Sequence, residues 1–207
     1  NMVYDSREEC NAIIETATNT LIYGCQSTTI PNTVTSIGDE AFYRCESLAA
    51  ITIPNSIQSI GHKAFSICKS LKSIIIPDSV TSIRQHAFEY CKSLKSVAIG
   101  NSVRSIEFNT FCRCSLLTDV TIGNSLRSIG DYAFEDCKSL KSITIPDSLT
   151  DIGKEAFYCC KSLRAIHYSG TIAQWKTITL AKGLIGAWNR RSAINVVHCT
   201  DGNMLVH

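Results

Sequence analysis

The sequence predicts a solenoid, a stack of similar coils, because it repeats with a single period and each repeat contains the pattern of a half-buried strand. From Ile30 to about His167 the 207-residue chain repeats every 23 residues, and six positions keep one residue type or a close analogue through six units. In steps of 23, these rows run from Ile30 to Ile145, from Ile37 to Ile152, from Phe42 to Phe157, from Cys45 to Cys160, from Leu48 to Leu163 and from Ile51 to Ile166. Six rows in register over six units exclude coincidence.

The first element of each unit is a short main strand. In the second unit Ile51 and Ile53 point inward and Thr52 points outward, which is the alternation of a strand with one buried face. Pro54 and Asn55 follow. Proline fixes φ and cannot donate a ladder hydrogen bond, so the strand is expected to end in a turn at this point.

The rest of each unit returns the chain to the start of the next strand. Residues 34–38, Val-Thr-Ser-Ile-Gly, carry two more inward positions and predict a short second strand. The run from Asp39 to Cys45 is too short for an independent helix, so we expect one or two helical turns on the outer side. Stacked coils pair their strands in parallel about 4.8 Å apart, so the rows become continuous columns in one core.

The consensus unit, I-P-N-S-V-T-S-I-G-x-x-A-F-x-x-C-K-S-L-K-S-I-x, resembles the BspA-type leucine-rich repeat, whose signature is I-P-x-S-V-x-x-I-G-x-x-A-F-x-x-C-x-x-L. The resemblance covers residues 30–167. It implies an α/β leucine-rich repeat solenoid, a right-handed stack of 23-residue coils with a parallel β-sheet on one face and short second strands and helical turns on the other. The departures from the signature lie at edge or turn positions: Arg84, Gly100, Glu107, Thr110, Leu116 and Gly123.

The N-terminal segment departs from the repeat and is expected to cap the stack, because a terminal coil would otherwise expose its core. Residues 10–16 and 21–25 flank the polar run 17–20, which predicts a β-hairpin. Residues 1–29 are therefore assigned to an N-terminal hairpin cap, and residues 30–167 to six repeats.

The C-terminal segment, residues 168–207, is expected to form a second cap within the same continuous domain. Thr171 and Gln174 match a capping box that opens a short helix through Trp175 and Ile178. The run from Ile194 to Cys199 then predicts a strand that closes the last coil.

The eleven cysteines fall into two classes. Six lie on the row from Cys45 to Cys160, where we expect reduced thiols packed as small apolar groups. Side chains stacked in one direction disfavour disulfides, and a straight row cannot supply the tetrahedral ligands of zinc. The remaining five are Cys10, Cys25, Cys112, Cys159 and Cys199. Of these, Cys112 and Cys159 occupy variable positions expected to face solvent, and Cys10 and Cys25 could form a disulfide across the hairpin.

Composition and charge exclude several classes of protein. A net charge of +2 with 18% charged residues argues against a nucleic-acid binder, which needs a dense basic stripe. A hydrophobic fraction of 44% argues against general disorder. No apolar run approaches the roughly 18–20 residues that span a bilayer, so no membrane insertion of this segment is expected. Residues 1–20 lack the pattern of a signal peptide.

No catalytic, cofactor-binding or metal-binding residues are predicted. A cysteine nucleophile needs a base within hydrogen-bond reach, and His198 beside Cys199 would point to the opposite face of the same strand. His62 and His86 lie in the outer turns of neighbouring units, near one another after stacking, and are interpreted as solvated surface positions. A non-enzymatic protein without cofactors is therefore expected.

The outward residues of the main strands form strips across one face, and this face is the candidate binding surface. The first strip, which includes Lys72, Lys95, Thr118, Lys141 and Arg164, is mildly basic. The third strip, which includes Ile75, Thr121, Thr144 and His167, is small to apolar. The candidate residues are Lys72, Ile75, Lys95, Thr118, Thr121, Lys141, Thr144, Arg164 and His167. Solenoid sheets commonly serve as extended binding surfaces. The alternative is that the lysines only solubilise the face and guard it against strand addition.

The resemblance, and not the spacing or the charge, implies a biological role. It implies a non-enzymatic protein-interaction module of a bacterial or protozoan protein that is secreted or on the cell surface. Adhesion to a host extracellular-matrix or cell-surface protein is the implied function. Two alternatives stay open: an intracellular or periplasmic scaffold, which would tolerate many reduced thiols better, and the recognition part of a longer enzyme.

Overall fold

The computed structural model describes residues 4–180 and 194–205. Apart from a 3₁₀ segment at Arg7–Glu9, the elements in chain order are β1 Tyr4–Asp5, β2 Ala12–Glu15, β3 Thr20–Gly24, β4 Ser36–Ile37, β5 Ser59–Ile60, β6 Ser73–Ile76, β7 Ser82–Ile83, β8 Ser96–Ile99, β9 Ser105–Ile106, β10 Asp119–Ile122, β11 Ser128–Ile129, β12 Ser142–Ile145, β13 Asp151–Ile152, β14 Ala165–Tyr168, α1 Ile172–Trp175, β15 Thr179–Leu180, β16 Val196–Cys199 and β17 Gly202–Leu205.

Two series of short parallel strands run across the stack, one on each side of the coils. The four-residue strands form the main face, where β6, β8 and β10 pair in parallel and β12, β14 and β16 do the same. The two-residue strands form the second face, with β3, β4, β5 and β7 in one ladder and β9, β11, β13 and β15 in another. Within the repeats each strand pairs with the strand 23 residues away, as Ile74 does with Val97. The predicted solenoid of six coils is therefore confirmed.

The main face begins one unit later than the sequence predicts. Ile53 is buried and Thr52 exposed, as the alternation requires, but residues 51–53 form no strand. One backbone hydrogen bond, from the amide of Lys72 to the carbonyl of Ala49 at 3.2 Å, joins this region to the next coil. At this end of the stack the N-terminal hairpin joins the coils on the second face, where β3 pairs with β4.

The outer side of each coil is a run of turns, where the sequence predicts helical turns. In the first unit the amides of Glu40, Phe42 and Arg44 donate to carbonyls of the following coil at 2.7–2.9 Å. The intervening amides of Ala41 and Tyr43 bond within their own coil. This alternation needs left-handed backbone at Glu40 and Arg44, with φ of 58° and 59°, and the same two positions are left-handed in the five following coils. The outer turns thus hydrogen-bond from coil to coil, which a helix could not do.

A column of six phenylalanine rings runs through the core. From Phe42 to Phe157, neighbouring ring centroids lie 4.9–5.5 Å apart and the ring planes differ by at most 16°. At the N-terminal end the column meets Gly24, whose amide donates to the carbonyl of Ala41 at 2.8 Å. A Cβ atom added at Gly24 would lie 2.2 Å from Cε1 of Phe42. Only glycine lets the hairpin approach the end of the column this closely.

The cysteine row has a hydrogen-bonding role as well as a packing role. The thiols of Cys68, Cys91, Cys114, Cys137 and Cys160 each donate to the phenylalanine carbonyl of the preceding coil at 3.0–3.2 Å. All five are buried, which confirms the predicted packing. Burial raises the pKa of Cys68 and of Cys114 to about 12. Cys45, in the first coil, is half-buried and has no preceding phenylalanine to contact.

The expectation that Cys112 faces solvent is wrong. Its side chain is 1% exposed, and its thiol donates to the carboxylate of Glu135 in the next coil at 3.4 Å. Burial, together with the charge of Glu135, raises the pKa of Cys112. The reason is that side chains at this position stack between neighbouring coils, so a small one is covered, as Ser66 also is. Cys159 is half-buried.

Cys10 and Cys25 of the hairpin are both free thiols in the structure. The thiol of Cys10 lies 3.8 Å from the carbonyl oxygen of Ala12, whereas that of Cys25 lies 3.5 Å from the carbonyl oxygen of Asn11. The side chain of Ser27 contacts Cys25 Sγ at 3.2 Å, and this hydrogen bond lowers the pKa of Cys25. Cys25 is therefore the thiol most disposed to ionise, since it is also only half-buried.

Antiparallel strands lie at both ends of the stack. At the N-terminus β2 and β3 form a hairpin, to which β1 adds a third strand. At the C-terminus the capping box of Thr171 and Gln174 is present, but α1 ends before Ile178. The strand predicted over 194–199 is β16, and β17, which the sequence did not predict, pairs with it in antiparallel fashion. The part of the predicted C-terminal cap at 181–193 lies outside the described residues.

Phe88→Ala is expected to lower the free energy of unfolding by about 3–5 kcal/mol, because it removes a fully buried ring from the middle of the column and leaves a cavity. Ile75→Ala is the matched control, since Ile75 is 71% exposed, and its cost is expected to stay within about 0.5 kcal/mol. Urea unfolding followed by circular dichroism measures both. A loss below about 1 kcal/mol for Phe88→Ala would contradict a core role for the column.

Native protein treated with DTNB near neutral pH is expected to show one fast thiol, because only the thiolate reacts and the pKa of Cys25 is lowered. The five buried row thiols are expected to react slowly, since burial raises the pKa of Cys68 and Cys114 to about 12. Cys25→Ser should remove the fast phase, and guanidinium should release all eleven thiols. Fast reaction of most thiols in the native protein would contradict the buried row.

Candidate binding face

The structure places the predicted binding residues on the exposed side of the main face. Lys72, Lys95, Thr118, Lys141 and Arg164 each precede a main strand, and all five are exposed. Ile75, Thr121, Thr144 and His167 occupy the third position of β6, β10, β12 and β14 and are exposed as well. Strand pairing sets the strips, since Ile75 pairs through Ala98 with Thr121, and Thr144 pairs with His167. Their part in binding stays a prediction.

The lysines of the first strip carry unneutralised charge. Among the described residues, the ammonium groups of Lys72, Lys95 and Lys141 make no ion pair, hydrogen bond or ring contact. Thr118 interrupts the strip, and its hydroxyl donates to the carboxylate of Asp119 at 2.6 Å. At the far end Arg164 donates to the carbonyl oxygen of Lys161 at 3.0 Å. The strip is therefore a line of cations interrupted by one neutral residue, Thr118, with the carboxylate of Asp119 beside it.

Three lysines that lie three residues before first-strip lysines, Lys69, Lys92 and Lys138, have partners. Lys69 Nζ lies 2.8 Å from the carboxylate of Glu46, and Lys138 Nζ lies 3.8 Å from that of Asp136. Lys92 Nζ lies 6.0 Å from the ring centroid of Tyr90. Lys69, Lys92 and Lys138 are therefore engaged within the protein, whereas Lys72, Lys95 and Lys141 of the first strip are not.

A groove of about 680 Å³ lies where β6, β8 and β10 end and their turns begin. Its wall includes Ile75 and Thr121, and its rim includes Gly100 and Gly123. These glycines replace the proline of the repeat, and the backbones approach so closely that a Cβ at Gly100 would lie 2.6 Å from the carbonyl oxygen of Pro77. The loss of proline in two consecutive units is the sequence feature that coincides with this groove.

Polar side chains at the rim of the groove hold the turns together. Asp78 Oδ1 accepts a hydrogen bond from the amide of Asn101 at 2.7 Å, and Asn101 Oδ1 accepts one from the amide of Asn124 at 3.1 Å. Each side chain thus satisfies a backbone amide of the next coil. The groove consequently offers a ligand mainly the apolar surface of Ile75, because two of its rim side chains are occupied.

The outer histidines belong to an aromatic column and are not the solvated positions that the sequence analysis expects. His62 and His86 are neighbours, as predicted, with ring centroids 5.3 Å apart in an edge-to-face contact. His86 also contacts the ring of Phe108 at 5.2 Å, and Phe108 contacts Tyr132 at 5.9 Å. His86 Nδ1 lies 3.0 Å from Glu89 Oε2, and all four rings are half-buried. These ring contacts explain the histidines as part of the packing between neighbouring coils.

Two searches of the described residues bear on other functions. Over 4–180 and 194–205, no group of three or more His, Cys, Asp or Glu side chains is arranged to hold a metal ion. Over the same ranges, no helix has the length and apolar character needed to cross a bilayer.

Several solved structures resemble the chain. A leucine rich cell surface protein from Faecalibacterium prausnitzii is 38% identical, with 72% of this chain covered and a TM-score of 0.62. A leucine-rich repeat protein from Eubacterium ventriosum is 25% identical, with 96% of this chain covered and a TM-score of 0.71. The matches extend over 39% and 48% of those two proteins, so this chain spans less than half of either.

No curated protein sequence matches the chain. Residues 18–125 and 104–182 match the family model described as the BspA type leucine rich repeat region, with six copies. The coils, the parallel ladders and the phenylalanine column account physically for that match. The chain belongs to the BspA-type leucine-rich repeat family.

Proposed function

We propose that the chain is a non-enzymatic protein-interaction module whose main face binds an acidic segment of a partner protein. The observation that carries the proposal is the first strip, where Lys72, Lys95 and Lys141 are exposed and unpaired among the described residues. Family membership supports the interaction role, because solenoids of this kind present extended binding surfaces.

The geometry of the strip suits an extended partner. Neighbouring coils stack about 4.8 Å apart, so Lys72 and Lys95 lie in adjacent coils and Lys141 lies two coils further on. An extended peptide advances about 3.3 Å per residue, so carboxylates at every second or third residue would meet successive lysines. The flexible lysine stems accommodate the difference in spacing. Ile75, two strips away, adds an apolar contact beside the charges.

A secreted or cell-surface location, with adhesion to a host matrix or cell-surface protein, is the biological setting that we propose for this module. The similar protein of Faecalibacterium prausnitzii is a cell surface protein, and this supports the setting. The eleven free thiols favour a second candidate, an intracellular or periplasmic scaffold, since thiols persist in reducing compartments. The binding mechanism proposed for the strip is the same in both settings.

The triple variant Lys72→Gln, Lys95→Gln, Lys141→Gln tests the proposal against a panel of matrix proteins and a polyglutamate peptide. We expect at least a tenfold loss of affinity, because three ion pairs of up to about 1 kcal/mol each would be removed. Binding of the unsubstituted protein should also weaken with added salt. Surface plasmon resonance measures both effects.

The matched control is Lys69→Gln, Lys92→Gln, Lys138→Gln, which removes the same charge from three lysines that have partners within the protein. Its affinity is expected to stay within about twofold, since the strip is untouched. An equal loss in both variants would show that only net charge matters. Unchanged binding in the first variant would exclude the strip as the binding surface.

A further inference from the structure

We propose that His167 and His198 form a binding site for a divalent transition-metal ion on the main face. The two residues are register partners on β14 and β16. Their ring centroids lie 4.9 Å apart and the ring planes differ by 16°, so the two imidazoles project side by side from the sheet. Imidazole is a preferred ligand of Ni²⁺, Cu²⁺ and Zn²⁺. This site is independent of the lysine strip and of the proposed partner.

Asn203 fixes the tautomer of His198. Its Oδ1 atom lies 2.7 Å from His198 Nδ1, and an amide oxygen can only accept a hydrogen bond, so the ring nitrogen carries the proton. In the neutral ring the lone pair is then on Nε2, the atom that would bind the metal. A histidine ligand that donates its other N–H to an oxygen is the usual arrangement around bound metals. The pairing of β16 with β17 sets Asn203 directly opposite His198.

His167 is free to complete the site. It is exposed, and among the described residues its ring makes no hydrogen bond or ion pair beyond the stack with His198. Metal–nitrogen distances of about 2.0–2.1 Å require the two Nε2 atoms to lie within about 4 Å of each other. An imidazole binds a metal ion in the plane of its own ring, so one of the two stacked rings must turn before both can bind the same ion. The His167 side chain is exposed, and a change of its rotamer would bring its Nε2 lone pair to converge with that of His198. Water would fill the remaining coordination positions.

The identity of the residues in this strip also favours a ligand. The earlier members are neutral: Thr52, Ile75, Ala98, Thr121 and Thr144. Within the described main face, only β14 and β16 carry imidazoles on register partners.

The other histidine pair of the protein lacks these features and serves as a comparison. The rings of His62 and His86 meet at 79°, edge to face. His86 Nδ1 contacts a carboxylate of Glu89, and its ring also packs against Phe108. Their nitrogens are therefore not presented side by side.

Titration with Ni²⁺ by isothermal calorimetry, on protein without an affinity tag, tests the proposal. We expect one ion per chain with a micromolar dissociation constant. His167→Gln and His198→Gln should each weaken binding at least tenfold. Asn203→Ala should weaken it by about tenfold, because the tautomer is no longer fixed, and Asn203→Asp should restore it, because the carboxylate accepts the same hydrogen bond.

His62→Gln and His207→Gln are the controls and are expected to bind Ni²⁺ within about twofold of the unsubstituted protein. Cys199→Ser should also bind normally, which separates imidazole from thiolate binding. Thermal unfolding of each variant checks that its fold is retained. The proposal is overturned if the unsubstituted protein does not bind Ni²⁺ below about 1 mM, if folded His167→Gln binds equally well, or if a control loses as much affinity as His167→Gln.

Discussion

The stacking of one coil on the next is the interaction on which the rest of the structure depends. Three sets of contacts recur between neighbouring coils: parallel ladder bonds on the two faces, bonds between outer turns, and face-to-face phenylalanine rings. The cysteine thiols add a fourth, because each donates to the phenylalanine carbonyl of the coil before it. These contacts are nearest-neighbour contacts only, so the stability of the protein is approximately a sum over junctions. Gly24 shows how narrow the tolerance is at a junction, since a methyl group there would overlap Phe42.

The same constraint produces the strips of the candidate binding face. A side chain that faces outward in one coil faces outward at the same height in the next, so any residue type repeated at that position becomes a line across the sheet. Lys72, Lys95 and Lys141 form such a line without partners, whereas Lys69 and Lys138, on a neighbouring line, lie beside carboxylates. Where the repeat loses its proline, at Gly100 and Gly123, a groove opens beside the line. The repeated core residues form the solenoid, and the residues that differ between repeats give the main face its local features.

The sequence was sufficient for the coils, the core rows and the family, because Phe, Cys and Ile recur at positions where the stack has no room for alternatives. It was insufficient wherever the answer depends on a neighbouring coil. The left-handed residues Glu40 and Arg44 carry no sequence signal, since their φ values are imposed by bonds to the next coil. Cys112 is buried because side chains of the neighbouring coils, Glu135 among them, cover it. The exposed strips followed directly from strand alternation, but the pairing of His167 with His198 joins residues outside the 23-residue spacing and required the structure.

The thiol-to-carbonyl contact also bears on how such a protein can change in length. Cys91 contacts Phe65 and Cys114 contacts Phe88 in the same way, at 3.2 Å in both cases. A whole coil inserted into or deleted from the middle of the stack would therefore recreate the contacts that it interrupts. Duplication of a 23-residue segment would then preserve the fold, and it would lengthen the main face by one coil. The length of the main face can therefore change through the number of repeats, while the antiparallel strands at the two ends of the stack stay the same.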